Sequence, residues 1–339
     1  MTDQPASRPR FEPNGDVHVP AFVLPASGLL SAEAAAFQRM RAAMPAFDTA
    51  GFEPQIAVRR EQINAYAAQG LARLETQFAV EIVETRIGGV RVLDVTPTGG
   101  GHDPDRVLIN LHGGAFTVGW DGIARMEAIP IAALGGWRVV SVDYRMAPEH
   151  RHPAAVEDVA AVHAALLADY APGRIGIYGG SAGGVLTAQA AAWLPAHGLP
   201  QCGAVGIFGA GGVSFDIGES AFVAAYTDGS FPAPDQPGGS EMELTRGYFA
   251  DVDPADASAW PAQDLDALAK FPPTLIITGT RAFDLSPAAH TNSRLLKAGV
   301  RSTLIVGESM GHCYYYNLAL PEARDAYAAI IAHFREHLA

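Results

Sequence analysis

A serine within a glycine-rich turn is the clearest candidate for chemistry in the sequence. Residues 179–183 read GGSAG, and they connect an apolar run at 175–178 to an alanine-rich helical pattern at 182–194. A nucleophile on a sharp strand-to-helix turn needs small neighbours because the backbone is crowded there, and the turn presents the hydroxyl at the helix N-terminus. Without the flanking strand and helix, the same letters could be an ordinary turn whose serine caps the helix. We therefore predict that Ser181 is a nucleophile of the kind used in acyl transfer.

A second turn could supply hydrogen-bond donors to such a reaction. Residues 111–116 read LHGGAF and follow another apolar run. Adjacent glycines let bare backbone approach a substrate carbonyl, so we predict that the N–H groups of Gly113, Gly114 and Ala182 bind the developing oxyanion. One such donor typically contributes about 3 kcal/mol to catalysis. His112 precedes the turn, and we expect it to brace the loop.

A general base is the next requirement for acyl transfer by a serine. The chain has eleven histidines, but only His312 lies in a short glycine-containing loop after the last predicted strand. That loop reads ESMGH at residues 308–312. A histidine that follows the nucleophile near the end of the chain fits one of the orders known for serine hydrolases. We predict that His312 accepts the proton of Ser181.

Short apolar runs alternate with helical patterns around these residues. An antiparallel hairpin is predicted first, at 79–84 and 90–95 around a Gly-Gly pair. The six later strands, each expected to be buried on both faces, lie at 107–111, 138–142, 175–178, 204–208, 274–278 and 302–306. Helical patterns lie at 31–44, 55–77, 123–134, 154–167, 182–194, 287–297 and 321–337. This order predicts an α/β protein whose mostly parallel, doubly wound sheet has helices on both faces.

One interval is too long for an ordinary connection between a strand and a helix. Roughly sixty residues, with clustered Asp, Pro and Gly, lie between Gly209 and Phe271. We interpret residues 212–270 as an inserted cap that joins the N-terminal helices over the site. The sequence then divides into an N-terminal arm with cap helices at 1–77 and a catalytic domain at 78–339.

Composition and charge exclude several classes of partner. The net charge is −13, from 36 acidic and 23 basic residues, and this balance repels phosphate backbones and anionic membrane surfaces. The two cysteines, Cys202 and Cys313, are too few for a disulfide framework or a cysteine-based zinc site. No apolar stretch has the length of a signal peptide or a membrane span. We expect a soluble, cytoplasmic protein that binds no nucleic acid and no membrane and needs no metal or organic cofactor.

Three blocks of sequence resemble the bacterial hormone-sensitive-lipase-like esterases, also called family IV. The blocks are HGG at 112–114, DYRMAPEH at 143–150 and GGSAGG at 179–184. The likeness extends over about residues 78–339 and implies an α/β-hydrolase fold with a mostly parallel central sheet, helices on both faces and a helical cap. In that family the middle block braces the loops around the site, which implies structural roles for Asp143, Arg145 and Glu149.

The same resemblance leaves open which acid orients His312. The family places its aspartate about three residues beyond a glycine, and counting from Gly279 leads to Ala282, so that slot is empty. Either a rearranged loop lets the nearest carboxylate, Asp284, reach His312, or Asp284 belongs to the N-terminus of the following helix, where a carboxylate is favoured anyway. The spacing to the later segment at 298–300 favours the second alternative, in which the acid is missing and activity is impaired.

The resemblance implies a serine carboxylesterase that hydrolyses small short-acyl esters or lactones through an acyl-enzyme. Candidate walls of its substrate pocket are the aromatic residues Phe116, Trp120, Phe215 and Phe222, with Tyr144 and Tyr226. Two other functions stay open. One is a non-catalytic homologue that binds a small molecule, and the absence of an acid at Ala282 would agree with it. The other is an amidase, which would use the same residues. A small-molecule ester is the expected partner, and a homodimer is left open.

Overall fold

A computed structural model describes residues 8–41, 43, 55–98, 101–231, 233–234 and 245–338. Eight of the ten strands in these ranges agree with the predicted hairpin and with the six predicted apolar runs. They are β1 (Arg10–Phe11), β2 (Val17–His18), β3 (Val80–Ile87), β4 (Val90–Pro97), β5 (Asp103–Leu111), β6 (Trp137–Val142), β7 (Ile175–Gly180), β8 (Ala204–Phe208), β9 (Thr274–Gly279) and β10 (Ser302–Gly307).

Strands β3 to β10 form one sheet in the order β10-β9-β8-β7-β5-β6-β4-β3. All neighbours from β10 to β6 run parallel, whereas β3, β4 and β6 pair antiparallel. The carboxyl ends of the parallel strands therefore meet at one edge, where loops can bring distant residues together. Strands β1 and β2 form a separate antiparallel pair in the N-terminal arm, where the sequence patterns predicted no strand.

Burial differs between the middle and the edge of the sheet. Every residue of β7, β8 and β9 is buried, as expected for strands covered by helices on both faces. Strand β10 contains only half-buried and exposed residues, so the prediction that it is buried on both faces is wrong. It forms the end of the sheet and has one neighbour, β9, so solvent reaches it.

Helices cover both faces of the sheet. They are α1 (Ala32–Arg41), α2 (Ile56–Gln77), α3 (Gly122–Gly135), α4 (Ala154–Leu166), α5 (Ala182–Ala196), α6 (Glu219–Thr227), α7 (Leu265–Leu268), α8 (Leu285–Lys297) and α9 (Pro321–His337). Seven of those in the described ranges agree with the predicted segments to within a few residues, whereas α6 and α7 were not predicted. Apolar residues of α3 and α9 form the core on one face, and those of α4, α5 and α8 form it on the other. Of the helices in the described ranges, none is both long and apolar enough to cross a membrane.

The described part of the interval interpreted as a cap contains little regular structure. It includes α6 and α7, with 3₁₀ turns at Phe215–Ile217 and Pro261–Gln263. Helix α2 packs against α3, and α6 packs against α8. The predicted cluster of Asp, Pro and Gly at 232–240 lies outside the described residues, except for residues 233–234. The proposed boundaries at 77/78 and at 212–270 stay predictions.

Candidate active site

Ser181 occupies the turn between β7 and α5. Its backbone is left-handed, with φ 55° and ψ −121°, a conformation that costs a non-glycine residue about 1–3 kcal/mol. The Ser181 N–H donates a 2.8 Å hydrogen bond to the Phe208 carbonyl. A Cβ on Gly179 would lie 2.3 Å from the Leu111 carbonyl oxygen, and a Cβ on Gly183 would lie 1.7 Å from it, so both positions require glycine. Within this described turn the Ser181 hydroxyl makes no capping hydrogen bond, so the alternative of an ordinary N-cap serine is wrong.

The carboxylate of Asp284 contacts the imidazole of His312. Asp284 Oδ1 lies 2.6 Å from His312 Nδ1, and Asp284 Oδ2 accepts a 2.5 Å hydrogen bond from Thr278 Oγ1. The Asp284 side chain is fully buried, so these two contacts fix its position. A carboxylate on Nδ1 orients the ring and leaves Nε2 to accept a proton.

This contact corrects the alternative that the sequence favoured. We expected Asp284 to serve the N-terminus of the next helix and the imidazole to lack an acidic partner. Asp284 does occupy the N-cap position of α8, but within this described segment its side chain makes no capping hydrogen bond. A hydrogen bond from the Ala282 N–H to the Gly279 carbonyl closes the turn after β9. Ala282 is thereby buried, and the carboxylate two residues later reaches the histidine.

Two neighbours raise the proton affinity of His312. Burial lowers its pKa, but the Cys313 sulfur and the Asp284 carboxylate outweigh burial, and the pKa is raised above its ordinary value of 6.5. Cys313 Sγ lies 3.5 Å from His312 Nε2, the nitrogen that would accept the serine proton. No hydrogen bond among the described residues joins Ser181 Oγ to His312, and such contacts often shorten only when substrate is bound. Both side chains line the same cavity.

The loop after β5, residues 112–118, is called the oxyanion loop below. Its Gly113 N–H donates a 2.9 Å hydrogen bond to Glu127 Oε1. That proton is not directed at a substrate, so the prediction of Gly113 as an oxyanion donor is wrong. Gly114 has φ 125°, and a Cβ there would lie 2.1 Å from the Val118 carbonyl oxygen. Ala115 follows in a left-handed conformation, with φ 53°.

Three amides near the nucleophile remain available as donors. Among the described residues, no hydrogen bond occupies the N–H groups of Gly114, Ala115 or Ala182. Ala115 is a candidate donor that the sequence analysis did not predict, because the prediction named the glycine pair and Ala182. Glu127, the acidic residue of the mainly apolar helix α3, was the available signal that a buried carboxylate must find hydrogen-bond donors nearby.

His112 makes the contacts of a bracing residue. Its ring stacks on Tyr144 with centroids 4.4 Å apart, and its Nδ1 lies 2.8 Å from the Gly113 carbonyl oxygen. Burial lowers the pKa of His112 to about 4, although the hydrogen bond to Gly113 opposes that shift. The imidazole is therefore neutral at pH 7 and fixed beside the oxyanion loop, in agreement with its expected role.

Ion pairs hold the segment that the family resemblance implied to be structural. Asp143 pairs with Arg91, Arg145 with Asp158, and Glu149 with Arg60. Arg60, on α2, also donates a 2.9 Å hydrogen bond from Nε to the Thr117 carbonyl. The N-terminal helix is thereby connected to the oxyanion loop.

A cavity of about 390 Å³ adjoins Ser181, His312 and the oxyanion loop. Many of its walls are aromatic side chains, namely Phe116, Phe215, Phe231, Phe249, Trp260 and Phe283. The predicted walls Phe116 and Phe215 lie there. Phe283 also packs on the His312 ring, with centroids 4.4 Å apart.

The other predicted walls lie elsewhere in the described structure. Trp120 and Phe222 do not line the cavity. Trp120 packs under the Arg91 guanidinium at 5.1 Å, and Phe222 lies on α6. The Tyr144 hydroxyl donates to the His112 carbonyl, and Tyr226 is 87% exposed. Sequence patterns identify aromatic residues but not the direction in which each side chain points.

Comparison with known proteins agrees with this architecture. A family model described as the α/β-hydrolase fold matches residues 108–316. An acetyl-hydrolase from Streptomyces hygroscopicus is 30% identical over 224 residues, which are 65% of this chain and 72% of that protein. The crystal structure of esterase E25 has a TM-score of 0.80 and 28% identity, and the match covers 95% of this chain and 99% of that one.

A second solved structure supports the narrower resemblance. An esterase from the bacterial hormone-sensitive lipase family has a TM-score of 0.75 at 28% identity, and the match covers 89% of this chain and 95% of that one. The predicted fold class and the predicted family are confirmed. The chain therefore belongs to the α/β-hydrolase-fold family and is an enzyme of the esterase and lipase type, similar to the bacterial hormone-sensitive lipases.

Proposed function

We propose that the chain is a serine carboxylesterase that works through an acyl-enzyme. Ser181 Oγ attacks the carbonyl carbon of an ester while His312 Nε2 takes the hydroxyl proton. The imidazolium then gives this proton to the leaving alkoxide, and the acyl group stays on Ser181. A water molecule, deprotonated by His312, attacks the acyl-enzyme and releases the carboxylic acid.

The single observation that best supports this proposal is the 2.6 Å contact between His312 Nδ1 and Asp284 Oδ1. Asp284 stabilises the imidazolium that forms when the serine proton is taken, and it holds the ring in the tautomer that can accept that proton. Among the described residues, the other hydrogen-bond partner of the fully buried Asp284 carboxylate is a neutral hydroxyl, that of Thr278. Burying such a carboxylate is costly unless a positive charge forms beside it. Proton transfer to His312 supplies that charge.

Three backbone amides would stabilise the tetrahedral intermediate in this proposal. The N–H groups of Gly114 and Ala115 come from the oxyanion loop, and that of Ala182 comes from the N-terminus of α5. Preformed amides stabilise the negative oxygen without reorganising during the reaction, and loss of one typically costs about 3 kcal/mol. The left-handed conformation of Ala115 is consistent with a loop held in one fixed shape.

A small ester or lactone with a short acyl chain is the substrate class we propose. The cavity of about 390 Å³ is near the lower end of ligand sites in general, and its walls are mainly apolar and aromatic. The similarity to an acetyl-hydrolase supports a short acyl group. Longer acyl chains would have to displace side chains such as Phe231 or Trp260.

The non-catalytic alternative loses its main support. It depended on the absence of an acid at Ala282, and Asp284 now occupies the expected place beside His312. An amidase would use the same groups, so only turnover of matched substrates separates it from an esterase.

The proposal is tested with a series of p-nitrophenyl esters from acetate to decanoate, beside p-nitroacetanilide as the amide. We expect kcat/KM to be highest for the acetyl or butyryl ester and negligible for the anilide. Ser181→Ala should abolish both ester turnover and labelling by a fluorophosphonate, because no other group can form the acyl-enzyme. Turnover by folded Ser181→Ala, or labelling of another residue, would contradict the proposal.

A further inference from the structure

A buried carboxylate that the proposed mechanism does not use lies next to the oxyanion loop. Glu127, on α3, is only 3% exposed. Its Oε2 accepts a 2.8 Å hydrogen bond from Asn110 Nδ2, and its Oε1 accepts the 2.9 Å hydrogen bond from the Gly113 N–H. Oε1 also accepts a hydrogen bond from the Tyr316 hydroxyl, and the backbone of Gly180 lies beside the carboxylate.

Two of these donors and the neighbouring Gly180 belong to the segments that hold the reacting groups. Gly113 lies in the oxyanion loop, Gly180 ends the strand that leads to the nucleophile, and Tyr316 lies in the turn that follows the proposed base. The segments approach closely, since a Cβ on Gly180 would lie 2.7 Å from the Tyr316 hydroxyl and 2.9 Å from Glu127 Oε1. One carboxylate therefore lies between the segments of the nucleophile, the oxyanion donors and the turn Tyr314–Tyr316 after His312, called the histidine turn below.

The contacts of Glu127 are those of an ionised group. Every partner donates, and a protonated carboxyl would place a further donor among them. Burial raises the pKa of Glu127 to about 7, and the hydrogen bonds from Tyr316, Asn110 and Gly113 oppose that rise. An apolar residue could fill this volume without the cost of burying a charge. The donors that Glu127 holds, and not core stability, therefore account for a carboxylate at this position.

We propose that Glu127 is a positioning residue for the oxyanion loop. By holding the Gly113 N–H it directs that amide away from the cavity, and it fixes the loop so that the next two amides, of Gly114 and Ala115, face the substrate carbonyl. The Tyr316 hydroxyl, bound to the same carboxylate, keeps the loop in register with the histidine turn. This inference rests on the proposed esterase function. Its effect falls on the transition state, because oxyanion donors act as the negative charge develops.

The first test compares kcat and KM for p-nitrophenyl acetate at pH 8 in the wild-type chain and in Glu127→Gln. Glutamine keeps the size of the side chain but replaces one accepting oxygen with a donating NH₂. We expect kcat to fall roughly 10- to 100-fold, as for misplaced catalytic groups in general, with KM changed by less than about threefold. Tyr316→Phe should lower kcat in the same direction by less. The matched control is Glu336→Gln, an exposed residue of α9 that pairs with Arg301, which should change neither constant.

The second readout is amide hydrogen exchange of residues 111–118, which does not depend on ester turnover. Faster exchange and lower kcat in a folded Glu127→Gln variant support the proposal. Unchanged kcat, or a raised KM with unchanged kcat, overturns it. Should Glu127→Gln fail to fold, Tyr316→Phe decides, and unchanged exchange and kcat in that variant overturn the proposal. A wild-type chain that hydrolyses no ester would overturn the proposed function instead, and the exchange measurement would still decide the role of Glu127.

Discussion

The oxyanion loop and the turn after β9 both follow parallel strands of one sheet, but they supply different kinds of group. The turn after β9 contributes one charged side chain, Asp284, held by Thr278 and His312. The oxyanion loop contributes backbone amides, and side chains from other elements hold it in place, notably Glu127 and Arg60. A function that depends on one side chain is lost with that side chain. A function that depends on backbone shape should be sensitive to residues that never touch the substrate.

The largest effect is expected at the acid. Asp284→Asn keeps the shape of the side chain but removes the charge that stabilises the imidazolium, and kcat should fall by about 10⁴, as in serine proteases. Ala282→Asp should give no gain, because Ala282 is buried in the core and Asp284 already contacts the histidine. Steady-state kinetics with p-nitrophenyl acetate measures kcat for both variants. Restoration of activity by Ala282→Asp in an Asp284→Asn background would show that the two positions are interchangeable, against this account.

A smaller effect is expected from the backbone of the oxyanion loop. Gly114→Ala places a methyl group where a Cβ would lie 2.1 Å from the Val118 carbonyl oxygen, at φ 125°. The loop must shift, and loss of one well-placed donor should lower kcat by about 10²-fold. The matched control is Gly28→Ala, because no described atom lies within 4 Å of a Cβ at that position. Full activity in folded Gly114→Ala would contradict the assignment of this loop, and unchanged thermal stability would show that any loss is local.

Much of the fold and part of the site could be predicted from the sequence. Alternating apolar runs and helical patterns located the strands and helices because each element buries an apolar face in a regular period. Ser181 and His312 were predicted as nucleophile and base from the strand, turn and helix patterns around them, and the structure brings both side chains to one cavity. The family resemblance added the expectation of an acid between them.

The errors arose where a contact between distant residues decides the outcome. Counting from Gly279 led to Ala282. In the structure a hydrogen-bonded turn follows Gly279, and the carboxylate that contacts His312 is that of Asp284, two residues after Ala282. Gly113 has the right residue type for an oxyanion donor, yet Glu127 binds its proton from another element. The motif around Gly113 does not show which residue binds its N–H group, so motif position alone does not identify the atom that faces the substrate.

The pH dependence of kcat/KM for p-nitrophenyl acetate tests the central claim most directly, namely that His312, supported by Asp284, is the base that activates Ser181. Burial alone would lower the pKa of His312, but the Cys313 sulfur and the Asp284 carboxylate raise it above 6.5. Only the neutral imidazole can accept a proton, so kcat/KM should increase with pH and have its inflection above 6.5. Asp284→Asn should move that inflection to lower pH, because the cation loses its partner. A rate that is independent of pH from about 5 to 8 would contradict the claim.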